Sequence, residues 1–174
     1  MSNMMEIERK FLVTGNGWKN EARAKKISQG YISKDNQCVV RVRSKGNKSF
    51  LTIKADRGDI QRLEFEYEIP HEDCAMMLDQ LCGDAISKTR YTFDYAGNTW
   101  EIDEFHGVND GLIMAEIELD TPDQVFEKPD WVGPEVSADE RFFNSYIAEH
   151  PFSTWGVNFG DLVSEFRAKE ELAS

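Results

Sequence analysis

The sequence predicts an α+β fold built on a closed antiparallel β-barrel with a charged lumen and helices packed outside. Polar and apolar residues alternate at period two through segment after segment, as strands with two unlike faces require. The polar faces hold few Ser, Thr, Asn or Gln; they carry carboxylates and bases, sorted strand by strand. An antiparallel sheet with one wet face accounts for any single strand. The whole set demands more, because a solvated face has no use for such sorting. A closed barrel gathers these residues in its bore and removes exposed strand edges.

The first strand sets the pattern. Glu6, Glu8 and Lys10 share one face, while Ile7, Phe11 and Val13 share the other with Arg9 among them. Residues 16–25 predict a short helix around Trp18. Segment 39–43 sets Val39, Arg41 and Arg43 against Val40 and Val42, and segment 50–54 sets Thr52 and Lys54 against Leu51 and Ile53. In 62–68, Arg62, Glu64, Glu66 and Glu68 oppose Leu63, Phe65 and Tyr67. Pro70 suits the first position of a helix running to about Cys82, with Cys74, Met77, Leu78 and Leu81 on one side and Gly83 ending it. Lys88 and Arg90 oppose Tyr91, Phe93 and Tyr95; Glu101 and Asp103 oppose Trp100 and Ile102; Glu116 and Glu118 oppose Ala115, Ile117 and Leu119. The proline-bearing stretch 121–136 reads as a loop. Ser137 and Glu140 match a capping box for a helix carrying Phe142, Phe143, Tyr146 and Ile147 that stops before Pro151. A last helix, Asp161 to Leu172, presents Leu162, Val163 and Phe166. These aromatic stripes are expected to cover the outside of the barrel.

A chain of 174 residues with ordinary hydrophobic content fits one domain, with barrel strands over about 4–120 and C-terminal helices over about 137–172. The net charge of −12 argues against nucleic-acid or anionic-membrane binding. Cys38, Cys74 and Cys82 suit neither a disulfide framework nor a zinc site. They are expected to be reduced, in a cytoplasmic protein with no signal peptide and no membrane span. His71, His106 and His150 fall near element ends and read as surface residues. No phosphate-binding Gly-rich loop and no nucleophile elbow is present.

Glu6-Ile7-Glu8-Arg9-Lys10 matches the Glu-x-Glu-x-Lys signature of the CYTH superfamily, the triphosphate tunnel metalloenzymes. Gln29-Gly30-Tyr31-Ile32, Arg41-Val42-Arg43, Thr52-Ile53-Lys54, Glu64/Glu66, Lys88-Thr89-Arg90-Tyr91, Glu101-Ile102-Asp103 and Ala115-Glu116-Ile117-Glu118-Leu119 resemble its later strands, in order. The segment from Glu135 through Arg141 and Asn144 is similar to the tail of its bacterial branch. The resemblance implies an eight-stranded barrel, open as a tunnel, that binds a triphosphate and requires a divalent metal, Mg²⁺ or Mn²⁺. Among the family's activities it points most directly to inorganic triphosphatase.

The residue types suit that chemistry. Arg forks grip phosphate oxygens in pairs and Lys supplies a compact charge, so Arg41, Arg43, Lys54, Lys88 and Arg90, with Arg62 and Lys10, are candidate substrate ligands. Carboxylates repel a polyanion unless they hold hard cations. Glu6, Glu8 and Glu118, then Glu64 and Glu116, with Glu66, Glu101 and Asp103, are candidate metal ligands. Lys10, its pKa lowered by neighbouring cations, is a candidate partner for the attacking water; an ion pair with Glu6 or Glu8 is the plainer reading and is compatible with that role. Tyr31, on the inward face of the second strand, is a candidate catalytic group bonded to Lys10, or else an ordinary core tyrosine.

Competing activities remain. A nucleoside or thiamine triphosphatase needs an organic group at the tunnel mouth, for which Trp18, Phe105 and Trp155 are stacking candidates, with packing the plainer reading of each. A class IV adenylate cyclase needs a purine pocket that no motif identifies. A non-enzymatic polyphosphate-binding module would keep the bases without needing the carboxylates. The residues after Phe152 either cover one tunnel end or pack against a second copy in a homodimer.

Overall fold

The computed structural model describes residues 5–35, 38–56 and 61–174; position 4, the predicted start of the barrel, lies outside them. Alternating segments form β1 (Met5–Val13), β2 (Arg23–Lys34), β3 (Val39–Lys45), β4 (Lys48–Asp56) and β5 (Gln61–Ile69). Then follow α1 (His71–Gln80), β6 (Ile86–Tyr95), β7 (Asn98–Phe105) and β8 (Ile113–Glu118). The chain ends with β9 (Val132–Glu135), α2 (Asn144–Glu149) and α3 (Phe159–Ala173). The strand order is β5-β4-β3-β2-β6-β7-β8-β1, and pairing of β1 with β5 closes an eight-stranded antiparallel barrel. The three helices lie outside the ring of strands. None of the described helices is long and apolar enough to cross a membrane.

Closure leaves half of one edge of β1 to be satisfied. β5 pairs only with Met5–Ile7. β9 takes over further along, matching Phe11 with Glu135 and Val13 with Val132. The expected loop 121–136 therefore contains a strand. Pro134 is tolerated there because β9 is an edge with little ladder to complete. Gly133 lets the two backbones meet, since a Cβ at this position would lie 2.8 Å from the Leu12 carbonyl oxygen. At Gly30 on β2, a Cβ would meet Cys82 Cβ at 2.8 Å, which lets the end of the α1 segment sit against the barrel wall.

The outward faces of β1, β7 and β8 carry Ile7, Phe11, Trp100, Ile102 and Ile117, all buried. Their cover comes from Trp18 and Trp131 on flanking loops. Trp100 packs edge-on against Phe11 at 5.6 Å and Trp131 at 5.8 Å, a favoured aromatic geometry. The helix expected over 16–25 does not form. Asn16, flanked by two glycines, starts a single turn, closed by Lys19 N–H to Asn16 O (3.1 Å) and Ala22 N–H to Trp18 O (3.0 Å). Pairing with β6 claims the chain from Arg23 onward, and so short a segment cannot offset the cost of helix nucleation alone.

A second apolar cluster lies at one end of the barrel. Leu12, Ile86, Phe105 and Met114 share the inward parity of the charged residues, yet they pack with Phe142, Ile147, Phe152, Leu162 and Phe166. The C-terminal aromatic residues thus pack at one end of the bore rather than only on its wall; for Leu162 and Phe166 this is the end-covering role expected of the residues after Phe152. Ser137 is not a helix cap: its hydroxyl accepts from the Lys10 N–H (2.9 Å) and donates to Glu135 (2.6 Å). Asp139 instead caps a 3₁₀ turn, Glu140–Phe142, by accepting from Arg141 N–H at 3.0 Å. α1 has Pro70 as its N-cap and stops at Gln80, with Leu81 more than half exposed. α3 starts earlier than expected because Asn158 and Asp161 form its capping box.

Candidate active site

The inward faces of the strands line a cavity of about 580 Å³. All but one of the candidate residues read from the sequence line it; Asp103, 1% exposed, sits behind the lining and holds Lys88 and Arg90. Lys10, Tyr31 and Lys88 lie at the buried end. Glu118, Gly97, Thr99 and Asp120 lie at the exposed rim. Lys45, Asp120, Phe143, Asn144 and Ser145 also line the cavity and were not expected. Lys45 extends the alternation of Arg41 and Arg43, so the pattern held the signal; Asn144 is marked only as part of the family-like tail, with no role attached, and arrives from the far end of the chain.

Strand register pairs opposite charges. Lys10 faces Glu116, Arg90 faces Asp103 and Lys54 faces Glu64. The Lys10 ammonium lies 2.5 Å from Glu116 and 3.1 Å from Glu8. Lys54 reaches Glu6 at 2.5 Å and Glu64 at 3.0 Å. Arg62 meets Glu8 at 3.0 Å and Arg43 meets Glu66 at 3.2 Å. Arg90 forks onto Asp103 with two bonds of 2.7 Å and also contacts Glu101 and Glu116. Lys88 donates to Asp103 at 2.6 Å and to Asn144 Oδ1 at 3.0 Å. Among the described residues, acidic and basic side chains line the cavity in equal number, which keeps so many buried charges tolerable.

Three departures from balance are informative. Burial, then the charge of Glu8, pushes the Glu6 carboxyl up to about 8, and a hydrogen bond with Glu64 adds to the rise. Burial, then the nearby charges of Glu64, Glu101 and Glu8, raises Glu118. Arg41 and Arg43 have buried Nε–H groups without an acceptor among the described residues, and burial, then Arg41 and Arg90, brings Arg43 down to about 10. Carboxylates short of positive charge beside guanidinium groups short of acceptors are what a hard cation and a polyanion would complete. The donor set fits a divalent metal in kind. In this geometry no three of the described His, Cys, Asp and Glu residues converge as a metal cage, because the bases occupy most of the carboxylates.

Lys10 makes the expected ion pair with Glu8, but its pKa moves opposite to expectation. Burial alone would lower its pKa, but Glu116 and Glu8 outweigh burial and raise it. Its nearest neighbours are carboxylates, not cations, so it carries a fixed positive charge. Tyr31 lines the cavity, but its hydroxyl accepts from the Gln29 amide at 3.2 Å rather than from Lys10; burial raises its pKa. Lys88 is brought down to about 8, by burial first and Arg90 against the pull of Asp103, and burial also lowers Lys45. The stacking candidates Trp18 and Phe105 are fully buried in the apolar clusters, and Trp155 packs on Phe142 at 5.5 Å; none of the three lines the cavity. His71 and His106 bond to Ser49 and Thr89, and His150 stacks on Tyr146, away from the cavity.

Comparison with known proteins adds three findings. The model of the CYTH domain matches residues 4–144. A protein named inorganic triphosphatase from Acetivibrio thermocellus is 46% identical over 151 residues, covering 86% of this chain and 97% of its own. A second protein of that name, from Nitrosomonas europaea, is 34% identical over 149 residues, with 83% and 97% covered. Among solved structures, that of the inorganic triphosphatase NE1496 aligns with a TM-score of 0.60 at 33% identity, over 82% of this chain and 93% of the other.

Proposed function

The chain belongs to the CYTH domain family, and from that membership we propose that it hydrolyses inorganic triphosphate to pyrophosphate and orthophosphate inside the barrel. The observation that carries this reading is the cavity itself, where Arg41, Arg43, Lys54, Arg62, Lys88 and Arg90 converge among carboxylates that lack full compensation. The names of both curated relatives support inorganic triphosphate as the substrate. We read residues 1–174 as one domain of this family.

In the reaction, a water oxygen bonds to a terminal phosphorus as the bridging P–O bond breaks. Pyrophosphate leaves with the electron pair, and the water's proton passes to solvent. The guanidinium and ammonium groups bind and orient the phosphates and stabilise charge in the transition state. Lys10 contributes charge rather than a proton-accepting amine, and Tyr31 contributes a hydroxyl at the buried end. The family's triphosphatases are metal-dependent. We assign Mg²⁺ or Mn²⁺ to Glu6, Glu8, Glu64 and Glu118, with Glu116 nearby; bound there, the ion would neutralise phosphate charge and orient water. Glu66, Glu101 and Asp103 serve mainly to hold the arginines.

The test is a substrate panel with the purified protein, Mg²⁺ or Mn²⁺, and triphosphate, ATP or thiamine triphosphate. Orthophosphate and pyrophosphate from triphosphate, appearing only with metal, are expected. Cyclic AMP as the main product from ATP, or no release from triphosphate with either metal, would overturn the reading.

A further inference from the structure

The cavity has one end. Exposure falls from Glu118 and Thr99 at the rim to Lys10 at 3% and Lys88 at 2%. Beyond these lysines the inward positions are taken by Leu12, Phe105 and Met114, packed on Phe142. The floor between is Phe143, Asn144 and Ser145. Arg62 lies over the Phe143 ring at 4.5 Å. The Asn144 carbonyl oxygen accepts from Lys88 at 3.0 Å, while its amide nitrogen has no partner among the described residues.

We propose that Asn144 and Lys88 form an end-stop that receives the terminal phosphoryl group of the substrate, and that α3 positions this floor. The proposal rests on the triphosphatase reading and deepens it: the site takes a free phosphate end. With its oxygen held by Lys88, Asn144 presents N–H donors to phosphate oxygens beside the ammonium. The floor is held from behind. Phe142 packs edge-on against Phe166 at 5.5 Å. Arg141 bridges Asp139 at 2.8 Å and Glu165 of α3 at 3.3 Å. The Glu135 N–H donates to Glu170 of α3 at 2.9 Å. The matched family region ends at 144, so α3 lies outside it.

Steady-state kinetics with triphosphate, and calorimetric titration of triphosphate under conditions without turnover, test the stop. Asn144→Leu is expected to raise KM and the titrated Kd about ten-fold or more, the worth of a hydrogen bond to a charged group, with kcat changed less. Asn144→Asp is the decisive variant. It keeps the size and gives Lys88 a better partner, so a merely structural asparagine predicts no loss. An end-stop predicts repulsion of phosphate and a larger rise than with Leu. Phe166→Ala is expected to raise KM in the same direction, with Phe166→Leu restoring it. Unchanged KM and Kd in Asn144→Asp, or tight binding of diadenosine triphosphate, whose ends are both blocked, would overturn the proposal. Wild-type protein that binds triphosphate at Asn144 but does not hydrolyse it would sink the triphosphatase reading and leave the stop standing.

Discussion

Replacing Lys10 with methionine isolates the central charge in the lumen. The side chain is 4% exposed and lies between Glu116 at 2.5 Å and Glu8 at 3.1 Å. Methionine keeps much of the volume and removes the ammonium. Removing one partner of a buried ion pair costs ~3–5 kcal/mol, because the remaining charge stays desolvated. Here Glu8 keeps Arg62 at 3.0 Å and Glu116 keeps Arg90 at 3.2 Å, so the lower end, about 3 kcal/mol, is expected. For a domain of this size that corresponds to a fall in Tm of roughly 6–12 °C. Urea unfolding and thermal melts of the metal-free protein measure it. Two further results should follow. Glu116→Gln in the Lys10→Met background should recover part of the loss, giving a coupling of roughly 1–3 kcal/mol in the double-mutant cycle. Divalent metal should raise the Tm of Lys10→Met more than that of wild type, because two carboxylates have been released. A loss under about 1 kcal/mol with no coupling would refute the view that these charges are locked together.

Glu118→Gln should keep the wild-type Tm to within a few degrees, since its carboxylate is unfavourably placed without a cation, while the metal concentration for half-maximal turnover rises at least ten-fold; metal titrations of activity check this. The pH profile of KM should bend upward above pH about 8, where the folded-state Lys88 loses the proton that binding needs, and the bend should be absent in Lys88→Met. Glu135 is held below the usual carboxylate range because bonds from Arg9 and Ser137 outweigh its burial. Its contribution to stability is therefore complete above pH 4.5 and is lost as pH falls through the lowered value, so acid melts of Arg9→Leu should show a weaker dependence in that window. Gly133→Ala should lower Tm, at a cost of about 1–3 kcal/mol, with triphosphate KM unchanged, because the new Cβ would fall 2.6 Å from Thr14 Cγ2 on the outer edge, far from the lumen.

The barrel was legible because strand periodicity is local: each pair of faces can be read within a few residues. The charged bore followed from comparing strands, since Arg41/Arg43 and Glu116/Glu118 make sense only when brought together. What escaped reading depends on distant parts of the chain. Phe142 has the spacing of helix cover, and no local signal says that it packs at the end of a bore; for Phe166 the sequence left end cover and a second copy as equal alternatives, and only the packing separates them. The Val132–Glu135 strand is four residues long and carries a proline; it exists because β5 leaves part of β1 unpaired. Trp18 sits where the sequence predicts a helix, but the barrel needs an indole over Tyr91 (4.7 Å), and a single turn delivers it. The Lys10 ion pair with Glu8 is legible within β1, whereas the upward direction of its pKa depends first on the cross-strand carboxylate Glu116, which no local pattern reveals. Asn144 is visible in the family-like tail, but no local pattern places it in the cavity.

The indoles divide the molecule into two optical territories. Trp18, Trp100 and Trp131 lie in the cladding on the barrel's flank, whereas Trp155 alone rests on Phe142 and Phe152 behind the floor. Intrinsic emission from a variant retaining only Trp155 would therefore report loosening of the rear closure, while the other three would stay silent until the staves themselves come apart.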